Sequence, residues 1–159
     1  MKTNLAARIC VLFAFALSVV FVTPQGAQAQ TTAFRQAVAE GAARDEALAE
    51  FYRGREFNGI WTGSTGRDRA RRNALLAAFA NAADHGLPAA QYDPNALMAR
   101  LQAANTPSEK GAMEVEMSSL FLSYARDIQT GILTPSNVVA EIHREIPLRS
   151  RLGLSLIHI

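Results

Sequence analysis

Asp84 and His85 stand side by side in DHGLPAAQYDP, residues 84–94. An acid next to an imidazole is the smallest pair that could exchange a proton with a substrate, and His-Gly is a fragment of several catalytic motifs. His143 lies among carboxylates in EIHRE, residues 141–145, and His158 is next to the last residue. None of the three histidines has a metal-ligand spacing such as H-E-x-x-H. Serine catalysis would need a positioned serine, for example on a G-x-S-x-G elbow, and the chain has none. GSTG, residues 63–66, lacks the lysine that follows in a phosphate-binding loop. Glu114 and Glu116 are two carboxylates, but two residues apart on a helix they point in different directions. The residues therefore assign no catalytic, cofactor-binding or metal site, and no cofactor is expected.

The single cysteine, Cys10, lies in an N-terminal stretch with its own logic. Lys2 and Arg8 are followed by an apolar run from Ile9 to Val22, then by small residues, which is the three-part pattern of a secretory signal. Ala27-Gln28-Ala29 is the expected cleavage triplet, so residues 1–29 read as a signal peptide. The run is short of the roughly 20 residues that span a bilayer, which disfavours an uncleaved anchor in the inner membrane. Ile9 and Val11 flank Cys10 where a lipoprotein signal would place small residues before it. After cleavage the chain would hold no thiol, hence no disulfide and no thiolate chemistry.

Cleavage also changes the charge. The full chain has 16 basic and 14 acidic residues, but losing Lys2 and Arg8 leaves the two signs balanced. The sequence pI of about 9.0 thus comes largely from the leader and gives no argument for a nucleic-acid partner.

The 159 residues are 49% apolar and 19% charged, enough for one globular domain with a core. After a lead segment over 30–44, Phe34 to Tyr52 reads as helix, with Ala47, Leu48, Phe51 and Tyr52 on one face and Asp45 as a cap for its second half. RGREFNGIWTGSTG, residues 53–66, reads as a glycine-rich loop carrying Phe57 and the lone Trp61. A helix over 67–84 follows, capped by Asp68, with Leu75, Leu76, Phe79 and Ala83 inward. Its Arg67, Arg69, Arg71 and Arg72 read as a solvated face.

Gly86 offers the positive φ that ends this helix, Leu87 packs back over its last turn, and Pro88 forbids continuation. Asp93-Pro94 opens the next helix, with Leu97, Met98 and Leu101 inward, to about Ala104. Thr106-Pro107-Ser108-Glu109 is a capping box that opens the longest helix, Pro107 to Thr130, about 36 Å at 1.5 Å per residue. Met113, Met117, Leu120, Phe121, Tyr124 and Ile128 line its expected core face, and Gly131 ends it. Thr134-Pro135 starts a short helix or turn that Pro147 stops. No segment alternates with period two, so the fold class is all-α, a small helical domain of four or five helices.

Three stretches in order, LAEFYRGREFNGIW (48–61), ALLAAFANAADHGLPAAQYD (74–93) and EVEMSSLFLSYARDIQTGILTPSNV (114–138), resemble the N-terminal scaffold domain of the larger murein L,D-transpeptidases of Gram-negative bacteria, the group with a YkuD-type catalytic domain. The signature falls on Phe51, Tyr52, Trp61, Gly86, Leu87, Pro88, Tyr92, Tyr124, Asp127, Gly131 and Pro135, all in structural roles. The resemblance implies a parent enzyme that cross-links peptidoglycan stems through a cysteine acyl-enzyme in a Ser/Thr-His-Gly-Cys motif. Here Leu87 follows His85-Gly86 where that motif has cysteine, so this His-Gly pair is not the catalytic one.

The expectation is therefore an exported, periplasmic, non-catalytic scaffold over 45–152, whose partner is peptidoglycan through the parent enzyme, with contact to the membrane only through the leader. GLSLIHI, residues 153–159, resembles translated adapter read-through and is expected to be non-native. The alternative is a complete small periplasmic protein that binds peptidoglycan or a partner protein through the 67–72 arginines and an exposed Trp61.

Overall fold

A computed structural model of the chain describes residues 25–131. They fold into α1 (Gln25–Ala42), α2 (Glu46–Gly54), α3 (Gly66–Ala80), a one-turn 3-10 helix (Ala82–His85), α4 (Pro94–Ala103) and α5 (Pro107–Thr130). No strand occurs among the described residues, so the all-α expectation holds. Residues 1–24 of the expected leader, the Thr134-Pro135 start, Pro135, His143, Pro147, His158 and the 153–159 tail lie outside them. No described helix is long and apolar enough to cross a membrane.

The helix expected over Phe34 to Tyr52 is two helices. The Asp45 carboxylate accepts from the amides of Ala47 (3.1 Å) and Leu48 (3.4 Å), satisfying donors that open α2 and stopping α1 three residues earlier. α1 is already helical at Gln25, the first described residue and within the last residues of the expected leader. The stretch expected as a lead segment is part of the packed fold. It lies along α5, where Gly111 comes so close that an added Cβ would meet the Phe34 carbonyl at 2.6 Å. Val38 and Ala42 are fully buried.

α3 starts one residue early and with a different cap. The Thr65 hydroxyl accepts from the Asp68 amide (3.2 Å) and the Asp68 carboxylate accepts from the Thr65 amide (3.1 Å), so Asp68 is the third residue of a capping box, not the cap. At the far end the chain tightens after Ala80 into the 3-10 turn. That shift rotates Ala82 into the core and leaves Ala83, expected inside, exposed. Leu75 and Phe79 are buried as expected, and Leu76 is half-buried.

The corner then closes as the sequence implies. Gly86 has φ +72°, and the amides of Gly86 and Leu87 donate to Ala83 (2.9 Å) and Ala82 (3.0 Å). Leu87 is buried. Asp93 caps α4 through the amides of Asn95 and Ala96. Thr106 and Glu109 form the expected box ahead of α5. The Thr106 amide, with that of Asn105 and the Thr106 hydroxyl, holds the Glu109 carboxyl below its ordinary pKa.

α5 is the central helix, but its buried face differs from the expected one. Met113 and Met117 are buried, while Leu120, Phe121 and Tyr124 are half-buried and Ile128 is 43% exposed. The rest of the buried surface is Gly111, Glu114, Val115, Ser118 and Leu122. Two of those are polar, which a search for apolar stripes passes over.

Candidate functional site

The centre of the molecule is a carboxylate. Glu114 and Ser118 sit one turn apart on α5, which aligns them on one face, and both are fully or almost fully buried. After α2 the backbone turns through two consecutive non-glycine residues with positive φ, Glu56 (54°) and Phe57 (58°), and the Phe57 amide donates to the Tyr52 carbonyl (2.8 Å). Side chains pay a steric penalty there. The turn sends residues 58–62 back across α5 onto Glu114.

Glu114 then gathers the loop. Oε1 accepts from the amides of Ile60 (2.7 Å) and Trp61 (3.1 Å) and from the Tyr52 hydroxyl (2.9 Å). Oε2 accepts from the amides of Trp61 (3.0 Å) and Thr62 (2.9 Å) and from the Thr62 hydroxyl (2.9 Å). Every contact is a donor, the pattern of an acceptor-only carboxylate. Successive backbone amides that would be orphaned in the interior are satisfied by one side chain. Gly59 is required beside it, since a Cβ there would lie 2.7 Å from Oε2 and 2.9 Å from the Phe34 ring.

Ser118 completes the cluster. Its Oγ accepts from the Trp61 indole N–H (2.8 Å) and lies 2.6 Å from the Tyr52 hydroxyl. Burial first, and then the neighbouring Glu114 charge, push the Tyr52 phenol far above its ordinary pKa. Phe51 packs edge-on against Tyr52 at 5.1 Å, and Arg55 stacks over Phe51 at 5.5 Å.

Arginines hold the outer side of the same loop. Arg71 donates to the Ile60 carbonyl (2.8 Å), and Arg72 donates to the carbonyls of Trp61 and Gly63 (2.7 Å to the latter). Arg69 donates to the Ser64 carbonyl. The expected solvated face is therefore mostly a clamp: α3 supplies cations to the loop's carbonyls while α5 supplies an anion to its amides. Arg67, the fourth, is exposed and makes no such contact with the loop.

A second cluster joins the 84–94 corner to the end of α5. Tyr92 is fully buried and donates to the Asp127 carboxylate at 2.5 Å. Burial and that bond push its phenol up. Tyr92, Tyr124 and Phe79 form an aromatic triad with centroids 5.2–5.3 Å apart. The Tyr124 hydroxyl donates to the Ala78 carbonyl (3.0 Å), and burial raises its pKa as well. Gly131 caps α5 with φ +70°, its amide donating to the Asp127 main-chain carbonyl.

The hydroxyls that meet a carboxylate, those of Tyr52 and Tyr92, belong to fully buried side chains. Ser118 is sealed, and Asp84 and His85 are exposed side chains of the 3-10 turn, His85 being the one histidine among the described residues. Among those residues no group of histidine, cysteine, aspartate and glutamate could hold a metal ion. Glu116, two residues from Glu114, faces outward in an ion pair with Arg100 of α4.

The structure thus brings Tyr52 with Trp61, and Tyr92 with Tyr124 and Asp127, into two hydrogen-bonded knots. Trp61 is 2% exposed, which corrects its expected role as a contact surface: its indole is spent on Ser118. The residues that sequence reasoning missed are Glu114, Ser118, Thr62, Arg71 and Arg72. No local signal marked them, because every one of these contacts joins residues far apart in the chain.

A family model described as Scaffold domain matches residues 46–154. No curated protein matches the chain, and no solved structure does.

Proposed function

The chain belongs to the scaffold-domain family that the sequence resembles in L,D-transpeptidases, and from that premise we propose that it is the scaffold portion of a peptidoglycan L,D-transpeptidase, exported to the periplasm and itself non-catalytic. The observation that carries this reading is the match across residues 46–154. The geometry supports it from another side. The signature residues Tyr52, Trp61, Tyr92, Tyr124 and Asp127 all tie α5 to its surroundings: to α2, to α3 and to the loops after them. Such a body suits a part whose task is to hold catalytic and glycan-binding modules in place rather than to act on a substrate.

Purified chain incubated with disaccharide-tetrapeptide should yield no cross-linked dimer. Product that co-purifies with the chain, and is lost when the chain is depleted, would overturn the non-catalytic assignment. The coding DNA downstream of codon 152 gives an independent check of the parent. A reading frame continuing to a His-Gly-Cys motif supports the transpeptidase, and an early stop would count against it.

A further inference from the structure

We infer that processing after Ala29 exposes Gln30 as an N-terminal residue that closes on itself to a pyroglutamyl lactam, making the head of α1 a modification site. The inference rests on the export proposed above. Residues 28–32 of α1 are all exposed, and the helix first packs at Phe34. A terminus created at Gln30 is therefore free in solvent while the remainder of α1 stays docked on α5.

The electrostatics of the cut helix favour the neutral form. A helix start carries partial positive charge, and a protonated amine there is unfavourable unless a carboxylate lies nearby. α1 has no acidic residue in its first turn. Gln30, Thr31, Thr32 and Ala33 would form the new one, Arg35 follows, and the first acid is Glu40.

The reaction needs nothing from outside. A share of α-amines is unprotonated near neutral pH. The Gln30 amine nitrogen attacks its own side-chain carbonyl carbon, a bond forms between them, and the bond from that carbon to the amide nitrogen breaks. Ammonia leaves with the proton given up by the amine, and a five-membered lactam without charge remains.

The test is expression of the full chain, leader included, in a Gram-negative host, followed by intact mass and N-terminal sequencing of the periplasmic protein before and after storage at neutral pH. The expected result is a chain starting at Gln30, lighter by one ammonia and blocked to sequencing until treated with pyroglutamyl aminopeptidase. The Gln30→Ala variant should keep its mass and stay readable. A stored chain that begins at Gln30 with a free amine overturns the inference and leaves export standing. A periplasmic chain beginning elsewhere likewise overturns the inference and leaves export standing, whereas a chain that stays in the cytoplasm with its leader intact overturns both.

Discussion

Glu114 and Glu116 differ by two positions and by everything that decides what a carboxylate is worth. The first meets donors on both oxygens in the interior; the second shares a partly exposed ion pair with Arg100. Glu114→Gln keeps the shape but turns an amide NH2 toward backbone N–H groups. A buried donor left without an acceptor costs about 1–3 kcal/mol, so the urea midpoint should fall accordingly. Glu116→Gln should change stability by under about 1 kcal/mol, as exposed pairs do. Equal losses in the two variants would contradict the hub.

The tyrosines permit a pH prediction with a definite sign. All three of the chain's tyrosines, Tyr52, Tyr92 and Tyr124, have folded-state pKa values raised by burial. The unfolded chain releases these protons near pH 10 and the native state does not. Their stabilisation is thus complete below about pH 10 and declines as pH rises further. In an alkaline titration tyrosinate absorbance should appear together with loss of helical circular dichroism. A tyrosine that titrates while the helices persist would contradict the packing around it.

Among the elements, the contact of α1 with α5 sets two familiar effects against each other. Alanine is favoured over glycine in a helix interior by about 1 kcal/mol, so Gly111→Ala should stabilise an isolated α5. In the fold its methyl would meet the Phe34 carbonyl at 2.6 Å and the Ala37 methyl at 2.8 Å. Backbone cannot rotate aside, and overpacking costs about 1–3 kcal/mol. The variant should be net destabilised by urea denaturation.

The clamp of α3 allows a similar contrast. Arg72→Ala should cost about 1.5–3 kcal/mol, the range for hydrogen bonds from a charged group, while Arg67→Ala stays within about 0.5 kcal/mol as surface changes do. Similar values for both would mean that the cluster is a solvated face after all.

How far the elements were legible follows from which signals are local. Capping residues act within one turn, so Asp45, Asp93, Thr106 and Gly86 announced their helix ends directly. Asp68 was misplaced by one role because Thr65, three residues earlier in a glycine-rich stretch, satisfies the same amides. Glu114 was out of reach, because its partners at 52 and 60–62 are distant in sequence. Nothing local distinguishes a buried glutamate from an exposed one on the same helix. Arg71 and Arg72 were read as solvated for that reason too: carbonyl acceptors carry no side-chain signature.

At the scale of the whole molecule, the family match begins at residue 46, after α1 has ended. Yet α1 buries Val38 and Ala42 and covers α5 at Gly111 and Val115. A chain beginning at residue 46 should therefore lose cooperative urea unfolding and bind a hydrophobic dye, whereas one beginning at Gln30 should behave as the longer protein does. Cooperative unfolding of the shorter chain with an unchanged midpoint would make α1 an ornament.

The chain contains one tryptophan, and its indole is fixed by Ser118 in the cluster that Glu114 organises. The protein thereby carries its own optical gauge at the one place where α2, the returning loop and α5 meet. Its emission should be blue-shifted in the native state, and it should respond to any loosening of that junction before the helices themselves melt.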